Sequence, residues 1–215
     1  MIIEFVGPSA SGKSTLIQNL KENYNLDLIY QSDQNIQIFE IITSFAYLRI
    51  ILEIYLKIFF TTNLTFSNKR FYSRHITKKI IYFKKYEDLE RPFILDEGII
   101  NIYLSVLSIH NISIYKIIEK YIDVKNYFAI LIKVNPRLLN ERILHRGPPA
   151  GWDNRKLFTE TVNKEVMYYK IQEKFSAYSN DFFQDKEIKY FSLENDSNIE
   201  NATDKAVEII DVILN

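Results

Sequence analysis

Gly7-Pro8-Ser9-Ala10-Ser11-Gly12-Lys13-Ser14-Thr15 is the stretch that decides the fold of this chain. It fits the phosphate-loop (P-loop) pattern G-x-x-x-x-G-K-[ST]. An apolar, β-prone run, Ile2 to Val6, stands before it, and a helical pattern from Ser14 to about Asn23 follows. Glycines let the backbone curl until successive N–H groups point inward at an anion, and the helix that follows adds its positive end. Gly7, Ser9, Ala10, Ser11, Gly12, Lys13, Ser14 and Thr15 therefore form the expected phosphate cradle. Lys13 reaches the outer phosphates, the Ser14 hydroxyl takes a Mg²⁺ position, and Thr15 starts the helix.

Breakers are scarce and fall where structure must turn. Average usage would give roughly 15 glycines in such a chain, but there are 5. They mark three special loops, near 7 to 12, 96 to 98 and 146 to 153. With 215 residues, the chain suits one α/β domain carrying an inserted helical region at about 34–90 and a lid at about 142–156. Lys+Arg and Asp+Glu balance at 27 each, so no global field argues for nucleic acid. The absence of cysteine excludes disulfides and thiolate zinc sites. A first strand beginning at Ile2 leaves no room for a targeting peptide, so a cytoplasmic location is the expectation.

Outward from the loop, Leu26 to Gln31 reads as a second strand, and Asp33 follows its C-terminal end. That edge of a parallel sheet is where ligands bind, and a carboxylate there can hydrogen-bond a substrate hydroxyl; capping of the next helix is the competing reading. Ile36 to Phe60 is the greasiest segment. Its interior charges Arg49, Glu53 and Lys57 fall at i, i+4 and i+8, one polar stripe on an apolar helix. No uncharged run is long enough for a membrane span. Core packing is the expected fate of this helix, with a homodimer or protein partner through 36–60 as the alternative. From Lys69 to Lys85 the chain is basic, and Arg70 and Arg74 share a helix face that could grip an anionic acceptor.

Pro92-Phe93-Ile94-Leu95-Asp96-Glu97-Gly98 is the second strong signal. An apolar strand ending in Asp96 places a carboxylate beside a P-loop Mg²⁺, and Glu97 could orient a nucleophile or bind the acceptor. Ile99 to about Tyr121 reads as an apolar helical region in which His110 receives no role, and Tyr127 to Val134 as a buried strand. Asn135-Pro136 starts a helix, as cap and first residue. That helix carries Arg142 and Arg146 four apart, so the two converge on one target ahead of a Gly/Pro loop that can hinge. A helix from Leu157 to about Ser179, a strand from Glu187 to Leu193 and an amphipathic helix ending at Leu214 complete five strands alternating with helices.

These parts resemble the P-loop small-molecule kinases of the nucleoside monophosphate kinase group, thymidylate-kinase-like proteins above all. The resemblance rests on GPSASGKST, on the ILDEG strand end, on IKVNPRLLNERILHRG, and on the closing strand with its helix. It implies a three-layer α/β/α P-loop fold with a five-stranded parallel sheet in the order 2-3-1-4-5 and a helical lid. It also implies ATP and Mg²⁺ as cofactors and a nucleotide or other small molecule as acceptor. Arg142 and Arg146 become lid arginines that contact the transferred phosphate, and Glu194 to Ser197 lies near the base. Thymidylate kinases usually follow the mid-chain strand with Asp-Arg and an aromatic residue or His. Here Asp96, Glu97 and Gly98 stand there, which draws the acceptor toward neutral hydroxyls, whereas Arg70 and Arg74 draw it toward an anion. Two alternatives stay open: a hydroxyl-directed sugar or metabolite kinase with Asp33 on the acceptor, and a P-loop ATPase switch with Glu97 positioning water.

Overall fold

The computed structural model describes residues 1–24, 26–30, 45–86, 91–121, 124–146, 164–186, 188–196 and 198–215. Asp33, the expected helix start at 36–44 and the lid loop 147–156 lie outside the described residues. Strand β1 (Ile2–Val6) leads into helix α1 (Lys13–Asn23), and β2 (Ile29–Tyr30) precedes helices α2 (Phe45–Thr61) and α3 (Phe66–Tyr86). Strand β3 (Phe93–Leu95) is followed by α4 (Ile99–His110), the short α5 (Tyr115–Ile118) and two 3₁₀ turns. The chain closes with β4 (Tyr127–Lys133), α6 (Pro136–Arg146), α7 (Lys164–Asp185), β5 (Lys189–Glu194) and α8 (Ile199–Leu214).

The five strands form one parallel sheet in the order β2-β3-β1-β4-β5. This is the order that the resemblance to P-loop small-molecule kinases implied. It places β1 at the centre, with Glu4 opposite Leu95 of β3 on one side and Ala129 of β4 on the other. Side chains alternate across a strand, so the sheet divides the core in two. Ile3, Phe5, Ile94 and Ile130 pack under α1 and α8 with Leu16, Leu20, Ala206 and Ile210. Ile2, Val6, Phe93, Leu95 and Tyr127 face the other layer, with Ile76, Ile80 and Phe83 of α3 and Ile100 and Leu104 of α4.

Several boundaries differ from the sequence expectation. Among the described residues, strand β2 covers Ile29–Tyr30, paired at Ile29–Phe93 and Tyr30–Ile94, on the edge of the sheet; Gln31, where the expected strand ended, lies outside them. The apolar region after residue 99 breaks at Asn111, whose left-handed φ of 55° ends α4. Asn135 caps α6 as expected, its Oδ1 accepting from the Arg137 amide at 3.0 Å. The larger departure concerns α2. Ile54 and Ile58 are buried against α3, and Glu53 bonds Lys57 and Lys120. Leu48, Leu52 and Leu56 nevertheless stand in solvent, Leu52 at 60% exposure and Phe60 at 83%. The apolar surface of α2 exceeds what one neighbouring helix can cover. No helix among the described residues is long and apolar enough to cross a membrane.

Candidate active site

The loop after β1 follows from its residue types. Ala10 and Gly12 hold positive φ, 65° and 90°, and the Ser11 amide bonds back to the Pro8 carbonyl at 3.3 Å. Lys13 opens α1 and turns its ammonium over the loop, donating to the Gly7 carbonyl at 2.8 Å, the Pro8 carbonyl at 3.0 Å and Ser11 Oγ at 3.4 Å. The lysine is thereby held at the cradle, with little side-chain freedom left to lose on meeting an anion.

Two further elements clamp the loop. Asn195, directly after β5, donates its side-chain amide to the Ser11 carbonyl at 2.8 Å and its backbone N–H to the Lys133 carbonyl at 2.9 Å. Arg142 of α6 donates to the Asn195 carbonyl at 3.1 Å. A side chain at position 12 would start 2.4 Å from Asn195 Nδ2 and 4.0 Å from an Arg142 nitrogen, so Gly12 is required by close approach as well as by φ. Arg142 thus stands over the P-loop. Arg146 ends α6, and its side chain lies outside the described residues.

The β3 end supplies the carboxylate that the motif demanded. Ser14 Oγ donates to Asp96 Oδ2 at 2.8 Å across 82 residues of sequence, and Asp96 Oδ1 is buried without a hydrogen-bond partner. A buried, partnerless carboxylate oxygen is costly unless a cation or water completes it. Mg²⁺ favours one or two protein oxygens, with waters and phosphates filling the rest. Ser14 and Asp96 fit that demand, and no denser cluster of His, Asp or Glu exists among the described residues.

Behind this edge lies a network whose roles the sequence reading did not assign. Glu4, on the central strand, is fully buried. Its Oε1 accepts from the amides of Gly98 at 2.9 Å and Asn101 at 2.7 Å, and its Oε2 from the Ile100 amide at 3.1 Å and from the Tyr127 hydroxyl. Asn101 in turn accepts the Gly7 amide on Oδ1 at 3.0 Å. Burial pushes the Glu4 carboxyl above its ordinary value, against the pull of Tyr127 and the amides. Burial and the Glu4 charge push the Tyr127 hydroxyl well up. The available signal was Glu4 itself, a lone acid in the apolar run IIEFV. Asn101 lies on the apolar helix α4, where no spacing marks it.

The basic helix α3 divides in two. Arg70 and Arg74 lie on its exposed face, whereas Lys79 is buried, only 8% exposed. Burial lowers the Lys79 ammonium, opposed by the charges of Glu97, Glu4 and Asp96 in that order. Glu97 itself is exposed beside Asp96. His110 shares a hydrogen bond with the Tyr72 hydroxyl at 3.1 Å.

No protein-family model matches the chain, and no curated protein matches it. Solved structures do. The deoxyadenosine kinase of M. mycoides with bound dATP superposes with a TM-score of 0.56 at 12% identity, over 98% of this chain and 100% of that one. This chain has the P-loop kinase fold. The same enzyme with dCMP and a flexible dCDP bound matches at TM-score 0.55 and 11% identity, over 99% of this chain and 100% of that one. The YorR protein of Bacillus subtilis, in complex with phosphorylated GDP, matches at 0.51 and 14%, over 99% and 96%. At such identities the likeness is one of fold, and the chemistry must be argued from this chain's own residues.

Proposed function

We propose that the chain is an ATP- and Mg²⁺-dependent phosphotransferase acting on a small-molecule acceptor, a nucleoside or nucleotide in the first place, in the manner of thymidylate-kinase-like proteins. The observation that carries the reading is the 2.8 Å Ser14–Asp96 contact at the mouth of the P-loop, with the second Asp96 oxygen buried and partnerless. Bound Mg²⁺ would neutralise charge on the β- and γ-phosphates; Ser14 and Asp96 are the residues that would hold it. The loop amides from Ser9 to Thr15 and the Lys13 ammonium bind the phosphate oxygens. Arg142 and Arg146 stabilise charge on the transferring group, and the position of Arg142 over Gly12 supports this.

In the transfer, the bond from the γ-phosphorus to its bridging oxygen breaks, releasing ADP, and a bond to the acceptor oxygen forms, a phosphate oxygen in a nucleotide and a hydroxyl oxygen in a nucleoside. Where the acceptor is a hydroxyl, its proton passes to a carboxylate, Glu97 or Asp33. Positioning and charge stabilisation supply most of such catalysis. The acceptor-side residues are Asp33, Arg70, Arg74 and Glu97. The acidic Asp96–Glu97 pair favours a hydroxyl-bearing acceptor as the second reading, a sugar or metabolite kinase.

ADP production from Mg·ATP is to be measured without acceptor and across nucleosides, nucleoside monophosphates, sugars and sugar phosphates. A rise well above background with one class supports the kinase. Equal ADP with every addition, abolished by Glu97→Gln, would replace it with a P-loop ATPase.

A further inference from the structure

We infer that Glu4 is a positioning residue that sets the Asp96 edge and the first P-loop amide relative to one another; the inference rests on the kinase reading above. Helix α4 starts without a side-chain cap on Gly98 and without an acid in its first turn. Its leading amides would be buried orphans. The Glu4 carboxylate, reaching across from the central strand, accepts three of them, from Gly98, Ile100 and Asn101, and supplies the negative charge that a helix start favours. The turn 96–98 is therefore fixed at both ends, by the β3 pairing with β1 and by Glu4 at α4.

Position 98 has an extended backbone, so conformational freedom is not why glycine stands there. A Cβ at Gly98 would sit 2.4 Å from the Glu4 carboxylate and 2.8 Å from the Tyr127 hydroxyl. With only a hydrogen atom at position 98, that space is left to the Glu4 carboxylate and the Tyr127 hydroxyl. From the same carboxylate the path continues outward. Asn101 gives its N–H to Glu4 and receives the Gly7 N–H, so one buried acid adjusts the metal-holding turn and the opening of the phosphate loop. Burying a carboxylate in a strand where isoleucine would pack is unfavourable before its partners are counted. A mere filler of that position would be apolar.

The test uses the full chain and three variants, Glu4→Gln, Tyr127→Phe and Asn101→Ala, each checked for folding by its thermal midpoint. Glu4→Gln keeps the shape but offers one acceptor oxygen in place of two. Its Mg²⁺ concentration for half-maximal turnover is expected to rise about 10- to 100-fold, the usual effect of loosening a supporting residue behind a metal ligand. Tyr127→Phe shifts it in the same direction by less. Asn101→Ala raises the KM for ATP and leaves the Mg²⁺ midpoint in place. Amide hydrogen exchange in the nucleotide-free protein provides a readout independent of activity: the Gly7 amide exchanges faster in Glu4→Gln and in Asn101→Ala than in the wild type. A folded Glu4→Gln protein with wild-type Mg²⁺ midpoint and wild-type Gly7 exchange overturns the inference and leaves Glu4 as a helix cap only. Should Glu4→Gln fail to fold, unchanged Mg²⁺ midpoint in Tyr127→Phe together with unchanged Gly7 exchange in Asn101→Ala overturns it equally. A wild type that neither binds nor turns over Mg·ATP, yet shows the expected exchange pattern, refutes the kinase reading and not the role of Glu4.

Discussion

Gly12→Ala tests whether Asn195 clamps the phosphate loop. Two costs add. At φ 90° an alanine meets the steric penalty of left-handed backbone, about 1–2 kcal/mol. Its Cβ would also start 2.4 Å from Asn195 Nδ2, in a side chain held by backbone bonds on either side, so the amide group must leave the Ser11 carbonyl. Stranding that buried carbonyl costs about 1–3 kcal/mol. The substitution should therefore destabilise by roughly 2–5 kcal/mol, which at about 2–4 °C per kcal/mol for a chain of this size lowers Tm by about 4–20 °C. Asn195→Ala alone loses only the second part. In the double variant the clash is relieved and the bond is already gone, so the pair should cost less than the sum of the singles by the worth of one stranded carbonyl, about 1–3 kcal/mol. Urea denaturation of the four proteins closes the cycle. Additivity within about 0.5 kcal/mol would mean that Asn195 keeps its bond when Gly12 is replaced, and the clamp would be refuted.

Other consequences follow from the same geometry. Arg142→Ala removes a cation over the loop and the bond to the Asn195 carbonyl; kcat should fall about 100- to 1000-fold, the range for one donor aimed at developing charge, while a change confined to KM would assign the arginine to nucleotide binding alone. Lys79→Met should alter how stability depends on pH. Burial holds the folded-state value of Lys79 below 10.5, so between that lowered value and 10.5 the unfolded chain binds more protons than the folded one. Stability then rises with pH across this window, and methionine cannot share the rise. The wild-type advantage over the variant should grow as the pH rises toward 10.5, and denaturation curves giving a flat or shrinking difference would contradict the buried charge.

The central features were legible because they are local. GPSASGKST declares a strand, a cradle and a helix within one window, and Asp96 declares itself as the acid ending an apolar strand. The strand–helix alternation pointed to five parallel strands, and the order of those strands came from the family resemblance that the motifs carry. What stayed hidden depends on contacts that form only once the sheet exists. Glu4 meets Gly98, Asn101 meets Gly7 and Asn195 meets Ser11 over 94 to 184 residues of sequence, and no spacing rule connects them. Gly98 reads in the sequence as a turn residue, yet the reason for it is the carboxylate of a strand far earlier in the chain. Helix α2 shows the same limit. The spacing of Arg49, Glu53 and Lys57 located a polar stripe but could not say which apolar side chains a neighbour would cover, and Leu48, Leu52 and Leu56 remain uncovered.

The most direct test of the central claim follows the phosphorus atom. Wild type and Lys13→Ala are incubated with Mg·ATP and the acceptor class that most stimulates ADP release, and the products are read by phosphorus NMR. The account predicts a new phosphoryl group on the acceptor, an ester on a hydroxyl or an anhydride on a nucleotide phosphate, in step with ADP, and its loss by about 100-fold or more in Lys13→Ala with the thermal midpoint largely kept. Inorganic phosphate as the product with every acceptor, or a phosphorylated acceptor formed equally well by Lys13→Ala, would contradict it.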